Sequence, residues 1–538
     1  MPRSTQPPRR LRAAGLPLAL AILWLAAGPG SGLAAEAATA RPPNVVLFFI
    51  DTLRADRVHH LGQPRQTTPS LDRVAAGGAS FRRAFSQATW SLPSYSSIFT
   101  SRYPPSTGVL SAADRLPGES PTLAEIFSAC GYKTAAFTCG GHLAPGHGLE
   151  RGFGIYRNRT FEVSLATTVP EATDWLGGAA SGPFFMLIHG LDAHAPYSPP
   201  LGFAELYEPA YRGPVHLPGF LRPEVLVDLE DNCFDPELVM GTREGPGLET
   251  LSPGMVEALV PPPDPHEAQA SPPSAPRPWT TSLWLGDAPP PGPGAAGELG
   301  LPYRLPPRRI PLSRADVEHL RAHYDGAVTY ADTWLGLFVE ALERAGVRER
   351  TLLVVAGDHG EELGEHGRFG HGGQVHDALL HVPLVIAGPG VARSRQVSQV
   401  VELVDVAPTL LELCGLPRSR TFQGRSQVPW LRPGEPPAPD ESRAAFAAEV
   451  QVLSVRTSRW HLIRPIAEGR VPPAAAELYE PERDPAELRD LSGQFPEEAR
   501  LLGSRLTDWL EALPEPPPTA GSSPGERERR ARALFGYW

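Results

Sequence analysis

Lysine is almost absent from this 538-residue chain, in which Lys133 is the single lysine among 49 basic residues. Positive charge near a substrate must therefore come from arginine, histidine or a metal ion. The formal net charge is −11, and no run of residues forms a basic stripe. Because nucleic-acid binding depends on clustered lysine and arginine, this balance argues against nucleic acid as a partner.

Cysteine is also scarce, and its spacing excludes the common zinc motifs. The four cysteines are Cys130, Cys139, Cys233 and Cys414. Cys130 and Cys139 either pair in an oxidising compartment or stay buried as free thiols, and the sequence leaves both alternatives open.

No apolar run near the N-terminus is long enough for a comfortable membrane span. Residues 16–27 are apolar, follow four arginines and precede a stretch of small residues. This pattern predicts a signal peptide over residues 1–37. We therefore expect an exported protein, periplasmic or secreted, without a stable membrane span after cleavage. An uncleaved N-terminal anchor is the alternative.

Three apolar runs each end just before acidic or imidazole side chains. They are residues 43–50 before Asp51, residues 184–188 before His189 and His194, and residues 352–356 before Asp358 and His359. Continuous apolar runs are typical of parallel strands buried on both faces, and helical patterns alternate with them here. The sequence predicts an α/β fold whose carboxyl edge gathers these side chains.

Proline crowds residues 198–313, where no sustained periodicity is found. This stretch is interpreted as a partly disordered insertion in a catalytic domain over residues 43–420. A second unit is predicted over residues 440–515, before a tail at 516–538. Within it we expect a strand at 445–455 and an amphipathic helix at 496–513.

The strongest chemical pattern lies in residues 355–385. Asp358 and His359 offer one oxygen and one nitrogen ligand to a divalent cation at the end of a strand. Further imidazole donors follow at His366, His371 and His376. Asp51 alone could cap a helix, but together with Asp358 and His359 it is better explained as a metal ligand.

Ser91 precedes Pro93 and a helix that is expected to open near Ser94. A hydroxyl at a positive helix N-terminus suits a nucleophile that faces a tetrahedral oxyanion. The alternative is that Ser91 only caps the helix.

Several motifs, in order, resemble the sulfatase family of the alkaline-phosphatase superfamily over about residues 43–420. They are N-V-V-L-F-F-I-D-T-L-R-A-D, W-S-L-P-S-Y-S-S-I-F-T-S-R-Y-P, G-D-H-G-E-E-L-G-E-H-G and V-D-V-A-P-T-L-L-E-L-C-G-L-P, followed in the tail by E-L-Y-E-P-E-R-D-P-A-E-L-R-D-L. The resemblance implies a large mixed sheet sandwiched by helices, with a smaller C-terminal α+β subdomain. It also implies hydrolysis of a sulfate ester on a small molecule or a glycan.

The resemblance assigns roles to individual residues. Asp51, Asp358 and His359 match the metal ligands, Ser91 matches the nucleophile, His194 matches a substrate-contacting histidine, and His371 stands where many members have lysine. One divalent ion is implied, with calcium favoured by the family, whereas the ligand chemistry also allows Mn²⁺, Mg²⁺ or Zn²⁺. The predicted catalytic residues are thus Ser91, His194 and His371.

Two positions depart from the family pattern. Tyr95 replaces the arginine of the C/S-x-P/A-x-R motif that directs conversion of the nucleophile to formylglycine, and Thr52 replaces the second aspartate of the usual pair. A third departure is that the family's lysine-histidine signature after the G-Y-x-T motif is not recognisable in residues 131–142. Tyr95 argues against formylglycine at Ser91, and Thr52 removes one carboxylate from the metal. They support an alternative function with an unmodified serine, as a phosphodiesterase, phosphonate hydrolase or phosphoryl-group transferase. A catalytically degenerate binding protein is the second alternative.

Overall fold

The computed structural model describes residues 41–159, 164–179, 182–195, 197–200, 202–208, 211, 314–466 and 475–516. The predicted signal peptide, nearly all of the proline-rich insertion and tail, and Cys233 lie outside the described residues. Cys130 and Cys414 are free thiols, so the pairing of Cys130 with Cys139 is excluded.

The described strands, in chain order, are β1 (Asn44–Ile50), β2 (Ala79–Phe85), β3 (Lys133–Cys139), β4 (Ile155–Arg159), β5 (Phe184–Gly190), β6 (Thr351–Ala356), β7 (Glu362–Leu363), β8 (Phe369–Gly370), β9 (His381–Ala387), β10 (Arg395–Glu402), β11 (Ala445–Ala448), β12 (Val452–Arg456), β13 (His461–Pro465) and β14 (Glu477–Tyr479). The α-helices are α1 (Pro69–Ala76), α2 (Ser91–Thr100), α3 (Pro104–Thr107), α4 (Leu123–Ala129), α5 (Leu165–Ala179), α6 (Arg314–Arg344), α7 (Asp377–Leu380), α8 (Val406–Leu413), α9 (Val428–Leu431) and α10 (Pro496–Ala512).

Eight strands form one large sheet in the order β10-β2-β9-β6-β1-β5-β3-β4. Within this sheet β9 runs antiparallel to β2 and β6, and the other neighbours pair in parallel. The carboxyl ends of β1, β2, β5 and β6 therefore share one edge. The mixed α/β sheet predicted from the sequence is confirmed.

Helices cover both faces of the large sheet, which explains why β1 is apolar without interruption. Val46 and Phe48 belong to an apolar cluster with residues of α1, α5 and α6. Val45 and Leu47 belong to a second cluster with residues of α2, α4 and α8. Alternate side chains of a strand point to opposite faces, so a strand between two helical layers must be apolar at every position.

Four antiparallel strands form a smaller sheet in the order β11-β12-β13-β14. One face packs on Leu502, Leu506 and Leu510 of α10, and the other contributes to a cluster that includes Phe85 of the large sheet. The predicted closing helix is confirmed. The single strand predicted at 445–455 is wrong, because the chain turns between β11 and β12 and pairs back on itself.

Among the described residues, no helix combines the length and apolarity that a membrane crossing requires.

Candidate active site

The carboxyl edge of the large sheet brings Asp51, Asp358 and His359 together. Asp51 follows β1, and the other two residues follow the adjacent strand β6. His359 Nε2 lies 3.6 Å from Asp51 Oδ1 and 3.5 Å from Asp358 Oδ2. All three side chains are buried, and their ligand atoms lie within 4.8 Å of one another. The geometry is that of three ligands around a common point.

The donor atoms that face this point have no other partner. Asp51 Oδ1, Asp358 Oδ2 and His359 Nε2 are buried without a hydrogen bond in the described part of the chain. Orphaned buried polar atoms are costly, and a cation would satisfy all three. His359 Nδ1 lies 2.9 Å from the Gly360 carbonyl oxygen and donates to it, so the lone pair is on Nε2. That tautomer is the one that a metal ligand needs, and the three residues fit a divalent cation.

The remaining oxygens of the two carboxylates are held by hydrogen bonds. Asp358 Oδ1 accepts from the backbone amides of Thr52 and His359 at 3.3 and 3.0 Å. Asp51 Oδ2 lies 3.0 Å from His189 Nε2 and accepts from Ser91 Oγ at 3.2 Å. Hydrogen bonds to one oxygen thus orient each carboxylate, and its other oxygen remains available to a cation.

Burial and neighbouring charges move the pKa values of the ligands in different directions. Burial acts to raise the pKa of Asp51, but the hydrogen bond with His189 and the nearby imidazoles hold it well below its usual value. Burial and the charge of Asp51 raise the pKa of Asp358. Burial and the nearby His371 lower the pKa of His359 to about 3. His359 is therefore neutral at physiological pH, as metal binding requires.

Thr52, directly after Asp51, occupies a strained backbone conformation. Its φ of 58° is rare for a β-branched residue. The Thr52 hydroxyl donates to the Asp51 carbonyl at 2.7 Å, and the Tyr324 hydroxyl donates to the Thr52 carbonyl at 2.7 Å. Strain held by specific contacts is common at functional sites, and here it aims the Thr52 amide at Asp358.

Ser91 is the first residue of α2, and the helix therefore begins three residues earlier than the sequence predicted. The Ser91 side chain caps nothing, because its hydroxyl donates to Asp51 Oδ2. The side chain is almost completely buried at this edge. The N-terminus of α2 contributes partial positive charge at the same place.

Tyr95, at the position of the family arginine, is buried one turn along α2 from Ser91. Its ring makes edge contacts with Phe49 and His189, at centroid distances of 5.3 and 5.4 Å. The hydroxyl has no hydrogen-bond partner in the described structure. Burial and the charges of Asp358 and Asp51 raise the Tyr95 pKa well above its usual value. Tyr95 is a neutral packing residue where an arginine would be a cation.

His194 and His371 lie side by side, with ring centroids 4.8 Å apart. The His371 ring is 4.6 Å from that of His359. His371 Nδ1 is 3.0 Å from Oε1 of Glu361, a fully buried carboxylate. Burial alone would lower the pKa of His371, but Glu361 outweighs it and raises the pKa. Burial and His371 lower the pKa of His194, so the pKa values of the two imidazoles move in opposite directions.

Sequence reasoning did not assign roles to three residues that act here. His189 was noted at the end of an apolar run, and only the pairing of β1 with β5 reveals it as a partner of Asp51. Glu361 is the fifth residue after the end of β6, and nothing in the sequence around it indicates its role. Glu449 lies in the turn between β11 and β12, where it accepts from both the amide and hydroxyl of Thr89 at 2.8 Å. No local sequence pattern predicts that this turn lies beside the residues preceding Ser91.

His142 also approaches the site, although its surrounding sequence carried no recognisable motif. Its ring makes an edge contact with Trp90 at 5.3 Å. Burial lowers its pKa, the charge of Asp51 acts to raise it, and His371 and His194 lower it further. The only indication in the sequence was the position of this histidine, three residues after the end of β3.

Two of the histidines expected to supply further donors do not join this site. His366 and His376 instead face the carboxylate of Glu362, and the glycine-rich segment thus splits its imidazoles between two places. The two sets are held by adjacent carboxylates, because Glu361 holds His371 and Glu362 faces the other two histidines.

The chain is similar in sequence to a known protein family. The sulfatase family model matches residues 43–416, more than half of the chain. A model of the N-sulphoglucosamine sulphohydrolase C-terminal region matches residues 364–513. Arylsulfatase K of Bos taurus is 30% identical over 205 residues, which is 36% of this chain and 37% of that protein. The chain thus matches little more than a third of that relative's length.

Solved structures show the same fold. A phosphonate monoester hydrolase of Agrobacterium radiobacter aligns with a TM-score of 0.62 and 19% identity, covering 87% of this chain and 95% of that one. A protein solved with its substrate D-glucosamine-2-N,6-O-disulfate aligns with a TM-score of 0.62 and 19% identity, covering 88% and 98%.

Proposed function

This chain belongs to the sulfatase family, and from that premise we propose that it hydrolyses a sulfate ester at the site of Asp51, Ser91, Asp358 and His359. One observation carries the proposal. Ser91 Oγ donates to one oxygen of Asp51, and the other oxygen of Asp51 faces two further ligand atoms without partners. A nucleophile and a cation site thus share one carboxylate.

Asp51, Asp358 and His359 would hold one divalent cation. Such a cation neutralises ester oxygens and lowers the pKa of a nearby hydroxyl. The family favours calcium, and the mixed oxygen and nitrogen ligands also accept Mn²⁺, Mg²⁺ or Zn²⁺. The neutral His359 and its Nδ1 bond to Gly360 support the nitrogen ligand.

Ser91 is the proposed nucleophile. Its Oγ attacks sulfur, the bond between sulfur and the ester oxygen breaks, and the hydroxyl proton passes to Asp51 Oδ2 or to solvent. His371, whose pKa is raised by Glu361, is placed to pair with the sulfate oxygens or to protonate the departing oxygen. His194, with its lowered pKa and its Nδ1 hydrogen donated to the Ala195 carbonyl, is placed to accept a hydrogen bond from substrate at Nε2. Water then releases sulfate from the enzyme.

Tyr95 supports a second candidate, in which Ser91 stays unmodified and attacks phosphorus. A neutral, packed tyrosine stands where the modification motif has arginine. A phosphodiester or phosphonate ester would use the same residues. A third possibility is a binding protein without turnover.

The substrate class, the domain limits and the location are also proposals. Substrates of this site would be sulfate esters on small molecules or glycans, a class that fits the sugar disulfate held by one structural neighbour. The catalytic domain would span residues 43–420 and the C-terminal subdomain residues 440–515. The apolar run near the N-terminus supports export, periplasmic or secreted, with calcium available in either place.

The test is a hydrolysis panel of 4-nitrophenyl sulfate, a bis(4-nitrophenyl) phosphate diester and a 4-nitrophenyl phosphonate ester. Each substrate is assayed with Ca²⁺, Mn²⁺, Mg²⁺ and Zn²⁺. We expect the sulfate to be favoured, and Ser91→Ala and Asp358→Ala to lower turnover by on the order of 10³-fold or more. Ser96→Ala is the matched control, because that α2 hydroxyl donates only locally, to the Leu92 carbonyl.

Mass spectrometry of the peptide around Ser91 separates the candidates. An aldehyde at Ser91 supports a sulfatase with a modified nucleophile, and unmodified serine with faster sulfate turnover supports the serine nucleophile proposed here. Unmodified serine with faster diester or phosphonate turnover supports the second candidate. If the folded protein turns over none of the substrates with any of the metals, the remaining candidate is a binding protein without turnover.

A further inference from the structure

A second group of metal-binding side chains lies in the same loop, beyond Glu361. Nδ1 of His366 is 2.9 Å and Nδ1 of His376 is 3.7 Å from the same oxygen, Oε1 of Glu362. The two imidazole rings are stacked with centroids 3.8 Å apart. One ligand atom from each of the three residues lies within 4.8 Å of the others. Two nitrogens and a carboxylate thus converge.

Two of these atoms are buried without a partner. His376 Nδ1 and Glu362 Oε2 make no hydrogen bond within the described residues, and their side chains are only 8% and 3% exposed. A group built only for structure would leave fewer such atoms, because each one costs free energy. A bound cation would satisfy both.

The surroundings of His366 favour metal binding through Nδ1. Its Nε2 donates to the backbone carbonyl of Glu487 at 3.2 Å, so Nε2 carries the hydrogen. That arrangement orients metal-bound histidines in proteins. Glu487 is itself held in a left-handed conformation, with φ of 53°. The carbonyl that orients His366 is therefore fixed by the C-terminal part of the chain.

We propose that Glu362, His366 and His376 bind a second cation of the zinc class. Two imidazoles and one carboxylate are a zinc donor set with a fourth position for water, whereas calcium prefers oxygen ligands alone. His366, 19% exposed, gives solvent access to that position. Because His366 also bonds the Glu487 carbonyl, the ion would link the loop that carries Glu361 and His371 to the segment around Glu487. This site does not depend on the proposed reaction.

The neighbouring triad of Asp377, His461 and Glu487 does not compete for the ion. His461 Nδ1 already donates to Glu487 Oε1 at 2.6 Å. Both oxygens of Asp377 accept from the Arg456 guanidinium, at 3.2 and 3.1 Å. Because the fixed positive charge of Arg456 already pairs with Asp377 and disfavours a cation there, this triad is an internal ion-pair network.

The test counts zinc bound to the full chain after equilibration with zinc and gel filtration. We expect Glu362→Gln and His376→Gln to hold one zinc per chain fewer than the wild type. Asp358→Ala, which removes a ligand of the first site, should keep the second zinc. The matched control is His147→Gln, because His147 Nδ1 bonds only a backbone carbonyl and faces no carboxylate of either cluster.

Melting temperatures provide a measurement that needs no variant of the new site. Zinc should raise the Tm of Asp358→Ala protein, and calcium at the same concentration should not. The proposal is overturned if zinc leaves that Tm unchanged. It is equally overturned if Glu362→Gln and His376→Gln, shown by circular dichroism to be folded, retain as much zinc as the wild type.

Discussion

His189 Nε2 lies 3.0 Å from Oδ2 of Asp51, and this contact decides which oxygen of Asp51 is left for a cation. Both side chains are about 1% exposed. The other side of the His189 ring faces Cys139, whose sulfur is 3.8 Å from Nδ1. His189 therefore joins the strand β3 to the proposed metal ligand, and acts by positioning it.

Loss of this contact should weaken metal binding. We expect His189→Ala to lower the affinity for the activating cation by roughly 10–100-fold, as loss of an outer hydrogen bond to a ligand does. Activity should return at saturating metal, because the three ligands remain. Metal titrations of activity check this, with His60→Ala as the control. An unchanged metal dependence would show that His189 does not orient Asp51.

Tyr95 should tolerate loss of its hydroxyl. Since that hydroxyl has no partner, Tyr95→Phe should change the free energy of unfolding by less than about 0.5 kcal/mol and leave turnover intact. Tyr95→Ala should cost about 3–5 kcal/mol, because it empties a fully buried aromatic position. Urea unfolding and steady-state rates measure both. A large rate loss in Tyr95→Phe would make the hydroxyl a catalytic group.

Gly360 leaves no room for a side chain next to the proposed ligand His359. A Cβ there would lie 2.0 Å from the carbonyl oxygen of Ala378. The Gly360 amide also donates to the Leu379 carbonyl at 2.7 Å, so the two segments cannot separate freely. We expect Gly360→Ala to destabilise the fold by at least about 1–3 kcal/mol and to weaken metal binding.

Gly493→Ala is the matched control, because a Cβ there meets open space. Thermal unfolding with and without metal compares the two variants. Equal stabilities would mean that the loop holding His359 can shift at no cost.

Asp332 should make stability depend on pH. Its oxygens accept from the amides of Ser70 and Leu71 at 2.7 and 2.8 Å, and burial raises its pKa to about 7. The folded state thus binds a proton that the unfolded state releases above about pH 4. This group therefore destabilises the fold increasingly as pH rises from about 4 to 7.

Asp332→Asn should remove that dependence. Relative to the wild type, its free energy of unfolding should rise between pH 4 and 7 by up to about 4 kcal/mol, from roughly 1.4 kcal/mol per pKa unit. Urea unfolding across this range measures the difference, and the exposed Asp174→Asn should run parallel to the wild type. If the free energy of unfolding of Asp332→Asn differs from that of the wild type by the same amount at every pH, the pKa of Asp332 is not raised.

The sequence alone determined the elements that follow from local periodicity. An uninterrupted apolar run such as β1 can only be a strand covered on both faces, and carboxylates and imidazoles at the ends of such strands must meet at one edge. Asp51, Asp358 and His359 were predicted for that reason, and α10 from its amphipathic period. The hairpin of β11 and β12 was missed, because a continuous β-rich stretch does not mark its own turn.

The tertiary structure decided which side chains meet across distant parts of the chain. His189 reaches Asp51 through the register of β1 and β5, and Glu449 approaches Thr89 because the small sheet packs beside the large one. His371 is divided from His366 and His376 because Glu361 and Glu362, adjacent residues, hold different histidines. Contacts of this kind depend on long-range packing, which spacing along the sequence does not encode.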